Sequence, residues 1–225
     1  MASIFPFNQT LDSWEAPHPE RHWREGYSAQ TLARSWNAAH GFPPEVAAAL
    51  ATEPSFAGIV PVLGVPEFKV PLRGGDRPSH NDIFVLVRSA AGPVSIMVEG
   101  KVEESFGPFL GGWLSSASAD SGKRVRLDFL LKALGLREQP HDGIRYQLLH
   151  RAASAVLEGD RYRAAAAVLL VHSFSDQRTG WEDFEAFCGL FGAKPELGRV
   201  LRLPGEQAVP LFAVWVEGDR SFLGA

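Results

Sequence analysis

Asp82, Glu99 and Lys101 are the residues of this chain whose types and spacing best support chemistry. Two neighbouring carboxylates suit a hard divalent cation such as Mg²⁺, which prefers oxygen ligands and keeps several waters. A lysine beside them can orient or help deprotonate an attacking water and stabilise negative charge building at the reacting centre. The three groups meet only if the local structure brings them together. They lie on NDIFVLVRS, Asn81 to Ser89, and PVSIMVEGK, Pro93 to Lys101, two apolar stretches of strand length separated by Ala-Ala-Gly. That pattern reads as a β-hairpin. A register in which Ser89 faces Val94 sets Asp82 opposite Lys101, with Glu99 the diagonal neighbour on the same face, roughly 7–8 Å away between Cα atoms. A one-residue slip would send the set to opposite faces, so the register decides whether the site exists.

The elements around the hairpin must hold it in place. The chain has 225 residues, enough for one good-sized α/β domain, and its 45% hydrophobic and 21% charged residues fit an ordinary folded protein. Net charge is −4, so contact with a polyanion needs a local basic patch rather than the surface as a whole. The single Cys188 forms no internal disulfide, and the longest apolar run, Ala164 to Val171, is too short to span a bilayer. The N-terminal residues lack the basic start and apolar run of a leader, and a cytoplasmic protein without membrane contact is expected.

Residues 1–27, rich in proline, tryptophan and charge, read as an irregular arm packed through Trp14 and Trp23, leaving 28–225 as a single domain. Ser28 is placed to cap a helix through Leu32, Trp36 and Ala39, and Pro43-Pro44-Glu45 opens a second. GIVPVLGV and EFKVPL, interrupted by Pro61, Pro66 and Pro71, suggest a bent or edge strand before the turn-rich RGGDRPSHN. After the hairpin come a Gly/Ser-rich connection, an amphipathic helix through Leu127, Leu130, Leu131 and Leu134, and a helix from Ile144 to about Glu158. AAAAVLLVHSFS has the unbroken apolar character of a buried strand, WEDFEAFCGLF has helical spacing, and VPLFAVWVEG closes the chain as a strand.

In this order of elements, with Asp82 at the start of one strand and Glu99-Gly100-Lys101 at the end of the next, the chain resembles the PD-(D/E)XK superfamily of restriction-endonuclease-like nucleases over roughly residues 28–175. The family's proline before the aspartate is replaced here by Asn81. The resemblance implies an α/β fold with a restriction-endonuclease-like core, a mixed β-sheet flanked by helices in α-β-β-β-α-β order, plus an extra helix and strand. It implies a nuclease dependent on Mg²⁺ or Mn²⁺ that hydrolyses phosphodiesters, with DNA as the expected nucleic acid and a homodimer as a possible assembly. Asp82 and Glu99 would be metal ligands and Lys101 the base or charge stabiliser. Glu103, two residues further along the same strand parity, would enlarge the acidic cluster. Gln147 and Arg151, spaced i to i+4, fit the glutamine or basic residue that related nucleases carry on the following helix. Glu45 is the one candidate for a further metal ligand from the first helices.

Competing readings attach to the same residues. Glu67-Phe68-Lys69 is a second acidic-x-lysine tripeptide, without an aspartate on a partnered strand ahead of it. Asp82 and Lys101 would serve equally as a solvated cross-strand salt bridge, a contact contributing roughly 0–1 kcal/mol. The alternative functions are a nuclease-like fold without catalysis that acts as a binding module, and a small-molecule binder with structural carboxylates. His18 and His22 lack the order of a zinc-protease motif, and SGKR around Lys123 lacks the first glycine and final Ser or Thr of a phosphate loop. Cys188 and His172 read as core residues. Lys123, Arg124, Arg126, Arg145, Arg161 and Arg163 are the candidates for a local basic patch.

Overall fold

Prolines decide where the sheet ends. Strand β1 (Val60–Val70) carries Pro61 and Pro66, which have no amide hydrogen to give to a ladder, and it lies at the sheet's edge with a bulge between Pro61 and Leu63. It pairs antiparallel with β2 (Ser79–Ser89), which pairs antiparallel with β3 (Gly92–Lys101). Strands β4 (Ala166–Ser173) and β6 (Leu211–Glu217) continue the sheet in parallel, and the short β5 (Leu201–Leu203) closes the far edge, giving the order β1-β2-β3-β4-β6-β5. The protein is thus a mixed α/β fold with a six-stranded mixed sheet flanked by helices. The computed structural model describes residues 23–118 and 121–224. Trp14, His18 and His22 lie outside them, whereas Trp23 packs against the core.

The helices fall where the sequence period places them. They are α1 (Ser28–Ala39), α2 (Pro44–Leu50), α3 (Leu110–Leu114), α4 (Gly122–Ala133), α5 (Tyr146–Arg161) and α6 (Trp181–Gly189). The cap expected at Ser28 falls on Tyr27 instead, and the Ser28 amide donates to the Glu104 carboxylate at 2.8 Å. Helix α3, inside the Gly/Ser-rich connection, and β5 are additions to the expected elements. Among the described residues no helix is long and apolar enough to cross a membrane.

Alternation along the strands divides the core in two. Ile83, Val85, Ile96 and Val98 face α1 and α2, packing with Leu32, Trp36, Val46 and Leu50. Phe84, Met97 and Leu169 point the other way, toward Leu127 and Leu130 of α4 and Leu148, Leu149 and Ala152 of α5. All eight residues of β4 are buried, because helices cover both faces of this central parallel strand. Helix α5 is tied to β3 by Ser95, whose hydroxyl donates to the Ala155 carbonyl at 3.0 Å. This packing brings the first turns of α5 over the ends of β2 and β3 that carry the carboxylates.

The hairpin forms with a different register from the expected one. Ser89 faces Gly92 and Ile83 faces Val98, so the turn is Ala90-Ala91 alone and Gly92 belongs to β3. Gly92 has φ of 129°, which favours glycine, and the Ser89 hydroxyl donates to its carbonyl at 2.8 Å. Asp82 therefore stands one step beyond the last ladder pair, across from Glu99 rather than from Lys101. The displacement is two residues, the side-chain period of a strand, so Asp82, Glu99 and Lys101 keep a common face.

Candidate functional site

Glu99 is the centre of the site. It is only 2% exposed, yet three groups satisfy its carboxylate. Lys101 Nζ donates to Oε1 at 2.7 Å, Gln147 Nε2 donates to the same oxygen at 2.7 Å, and Arg151 Nε donates to Oε2. Lys101 also donates to Gln147 Oε1 at 3.3 Å, so these three side chains close a ring of hydrogen bonds between β3 and α5. Its ammonium lies 4.8 Å from the centre of the Phe106 ring, a cation–π contact that shields it from water. The i to i+4 spacing of Gln147 and Arg151 puts both on the helix face that meets Glu99.

Asp82 occupies the open side of the cluster, its side chain 25% exposed. Its Oδ2 accepts from the Gly100 amide at 2.7 Å, and its Oδ1 lies 3.9 Å from Arg151 Nη2. Arg151 thus stands between the carboxylates. Its remaining amine donates to Ser79 at 3.4 Å, and Ser79 shares a hydrogen bond with His150 Nδ1 at 2.8 Å.

The charges interact strongly at this depth. Burial pushes Glu99 upward, but Arg151 and Lys101 together outweigh it and hold the carboxyl at about 2. Burial, and then the charge of Glu99, raise Asp82 to about 7, with Arg151 opposing and Glu67 adding to the rise. Burial and the neighbouring Arg151 keep His150 well below its usual value, so the imidazole is neutral.

Asp82, Glu99, Lys101, Gln147 and Arg151 are therefore brought together. Glu103 is not among them: β3 ends at Lys101, and Glu103 turns to accept from Ser175 at 2.9 Å and from Thr179. The chain leaves the sheet there because the neighbouring Glu104 carboxylate takes the Val102 amide at 2.8 Å. Glu45 lies on the opposite face, where it pairs with His172 at 3.0 Å. The other nitrogen of His172 accepts from the Trp36 indole at 3.1 Å, and since an indole only donates, the proton sits on Nε2 facing Glu45. His172 and Glu45 are thus a core clamp. Burial raises the Cys188 thiol to about 12, which makes it inert.

Four participants escaped the sequence reading, the Phe106 ring over Lys101 among them. Ser79 and His150 join through Arg151, and no local pattern marks that contact. Glu67, from the duplicate tripeptide, adopts φ of 52° within β1, pairs with His80 at 2.8 Å and contributes to the field at Asp82. Its left-handed backbone, uncommon for a residue other than glycine, is invisible in a strand pattern.

Among the described residues no group of three or more His, Cys, Asp or Glu side chains is placed to hold a metal ion. The oxygen donors facing one another are Asp82 and Glu99. Two carboxylates with waters and a substrate phosphate are a usual donor set for Mg²⁺, and of the two causes that raise Asp82, burial first and then the charge of Glu99, a cation would relieve the second. The donor set fits the ion, with Arg151 as the group that must give way.

A model of a family described as a domain of unknown function, DUF6946, matches residues 8–220. No curated protein and no solved structure matches the chain. With the match covering nearly the whole sequence, the chain belongs to the DUF6946 family.

Proposed function

We propose that this protein is a divalent-metal-dependent nuclease that hydrolyses phosphodiester bonds, most naturally in DNA, on a restriction-endonuclease-like core. One observation carries the reading: Glu99, Lys101 and Arg151, all at most 6% exposed, converge with Asp82 where β2 begins and β3 ends. Withdrawing such charges from water costs several kcal/mol per ion even in a real protein interior, so a purely structural role would be better served by apolar side chains. The order of helix, three antiparallel strands, helix and parallel strand supports the core assignment.

Asp82 and Glu99 would hold Mg²⁺ or Mn²⁺, which when bound lowers the pKa of a coordinated water and neutralises charge on the phosphate. Lys101 is positioned to hold that water and to stabilise negative charge on a phosphate oxygen. Gln147 fixes the Lys101 ammonium, donating to Glu99 while accepting from the lysine. Phe106 walls the lysine from solvent, which strengthens its field at the reacting phosphate. Two copies would be required for cutting both strands in one encounter, which makes a homodimer part of the proposal.

Incubation of supercoiled plasmid and labelled single-stranded DNA with Mg²⁺ or Mn²⁺ tests the reading. Cleavage is expected from the natural sequence and not from Lys101→Ala. Activity no greater than that of Lys101→Ala would remove the enzyme. The second reading, a nuclease-like binding module, is favoured by the ion pair of Arg151 with Glu99, which leaves the cluster neutralised without a metal. DNA binding without cleavage under every metal condition would select it.

A further inference from the structure

A second cluster of charge lies beside the carboxylates and is built from two loops that touch. Gly74, in the loop between β1 and β2, has φ of 86°, and a Cβ there would fall 2.2 Å from the Gly122 carbonyl oxygen. A Cβ on Gly122 would in turn fall 2.7 Å from the Gly74 oxygen. Only a pair of glycines permits this approach, which joins RGGDR (73–77) to the SGKR segment at the start of α4. Arg126 fixes the junction, donating to the carbonyls of Leu72, Arg73 and Gly75.

The junction forms an open cavity of about 210 Å³ lined by Arg77, Lys123, Arg126, Trp113 and, as its one carboxylate, Asp76. Its cations differ from several elsewhere on the molecule. Arg137, Arg145 and Arg178 pair with Glu206, Asp183 and Glu217. Around this cavity the partners are neutral: Lys123 donates to the Trp113 carbonyl at 2.6 Å and the Ser116 hydroxyl at 2.8 Å, and Arg124 donates to the Ser118 carbonyl at 3.2 Å. Positive charge is thus concentrated here on a chain of net charge −4, with Arg77, Lys123 and Arg126 lining the cavity against the single carboxylate of Asp76.

The cavity is joined to the carboxylate site. Tyr146 stacks on Trp113 with ring centres 3.9 Å apart, and the next residue is Gln147, which holds Glu99 and Lys101. The same loop leads into β2, whose first residue, Ser79, accepts from Arg151. We propose that this cavity is a phosphate subsite for the backbone of a nucleic-acid strand, seating one phosphate on Arg77 and Lys123 while a nearby phosphodiester lies at the carboxylates. The choice of a polynucleotide rests on the nuclease reading.

Fluorescence anisotropy with labelled single-stranded and duplex DNA in EDTA, where hydrolysis is absent, tests the subsite independently of catalysis. The double variant Arg77→Ala/Lys123→Ala is expected to bind at least about tenfold more weakly, with the slope of log Kobs against log salt reduced by about 1–2. Arg77 is exposed, so Arg77→Ala alone serves as the variant that leaves the fold intact and is expected to reduce both affinity and slope. Unchanged affinity and slope in both variants, or no DNA binding by the natural sequence, would overturn the subsite. Inorganic phosphate competing as well as DNA at equal phosphate concentration would mark a free-phosphate site and overturn the polynucleotide assignment. Weakened binding by the variants with no cleavage under any metal condition leaves the subsite standing and removes the nuclease. Cleavage with unchanged binding by the variants does the reverse.

Discussion

Asp82 and Glu99 face each other across two strands, and their protons are linked. Burial and the charge of Glu99 raise Asp82 from 3.8 to about 7, so between these values the folded chain holds a proton that the unfolded chain has lost. Stability from this residue must therefore fall as pH rises through that window. Glu99 has the opposite sign: Arg151 and Lys101 overcome its burial and lower it from 4.5 to about 2, so its contribution is present above 4.5 and lost as pH falls toward 2. His150 and His172, both lowered from 6.5 by burial, contribute with the opposite sign, so the Asp82 effect is read as a difference: relative to Asp82→Asn, the metal-free natural sequence loses stability from pH 5 to pH 8 with a slope of at most about 1.4 kcal/mol per pH unit. The quarter exposure of Asp82 keeps the slope below that ceiling. Urea unfolding of both proteins in EDTA across this range measures it. A stability difference between the two proteins that does not change with pH would show that Asp82 is ionised throughout.

Helix α1 and the end of β3 approach so closely that a side chain at Gly100 would crowd its neighbours. A Cβ there would lie 3.0 Å from Leu32 Cδ2 and 3.4 Å from Asp82 Oδ2. Gly100→Ala should cost about 1–3 kcal/mol of stability by overpacking this contact, and Leu32→Ala in the same chain should recover part of it. Denaturant unfolding of the single and double variants tests the coupling; additive losses would mean that α1 does not bear on β3 there. The elements themselves were legible because hydrophobic periods are local: the prolines marked β1 as an edge, and an unbroken apolar run marked β4. The hairpin register was not legible, since Gly92 read as a turn residue when it opens β3. That slip of two residues did no harm to the site, whereas the end of β3 did. Glu103 leaves the expected row because Glu104 captures the Val102 amide, a contact that strand parity does not encode.

Charge balance over the whole molecule separates what the sequence could show of the site from what it could not. The types and spacing of Asp82, Glu99, Lys101, Gln147 and Arg151 were all in the sequence, but packing of α5 on the sheet decides that Arg151 fills the gap between the carboxylates. With two cations against two carboxylates, the site is neutral before any ion arrives once Asp82 is ionised, above about pH 7, and a divalent cation must compete with the guanidinium. Binding to the folded state alone stabilises by RT ln(1 + [L]/Kd), about 2.7 kcal/mol at a hundredfold excess over Kd. Arg151→Met should therefore have two effects of opposite sign. It lowers the stability of the metal-free protein, because Glu99 keeps only Lys101 and Gln147 as partners, and it tightens Mn²⁺ by releasing the oxygen of Glu99 that Arg151 now holds. Thermal unfolding in EDTA and in saturating Mn²⁺, with calorimetric titration of the ion, reads both quantities on one preparation. Asp82→Ala should abolish the ion's stabilising effect altogether. Mn²⁺ affinity in Arg151→Met equal to or weaker than that of the natural sequence would mean that the guanidinium does not compete with the ion, and the cluster would then be read as a structural ion-pair network.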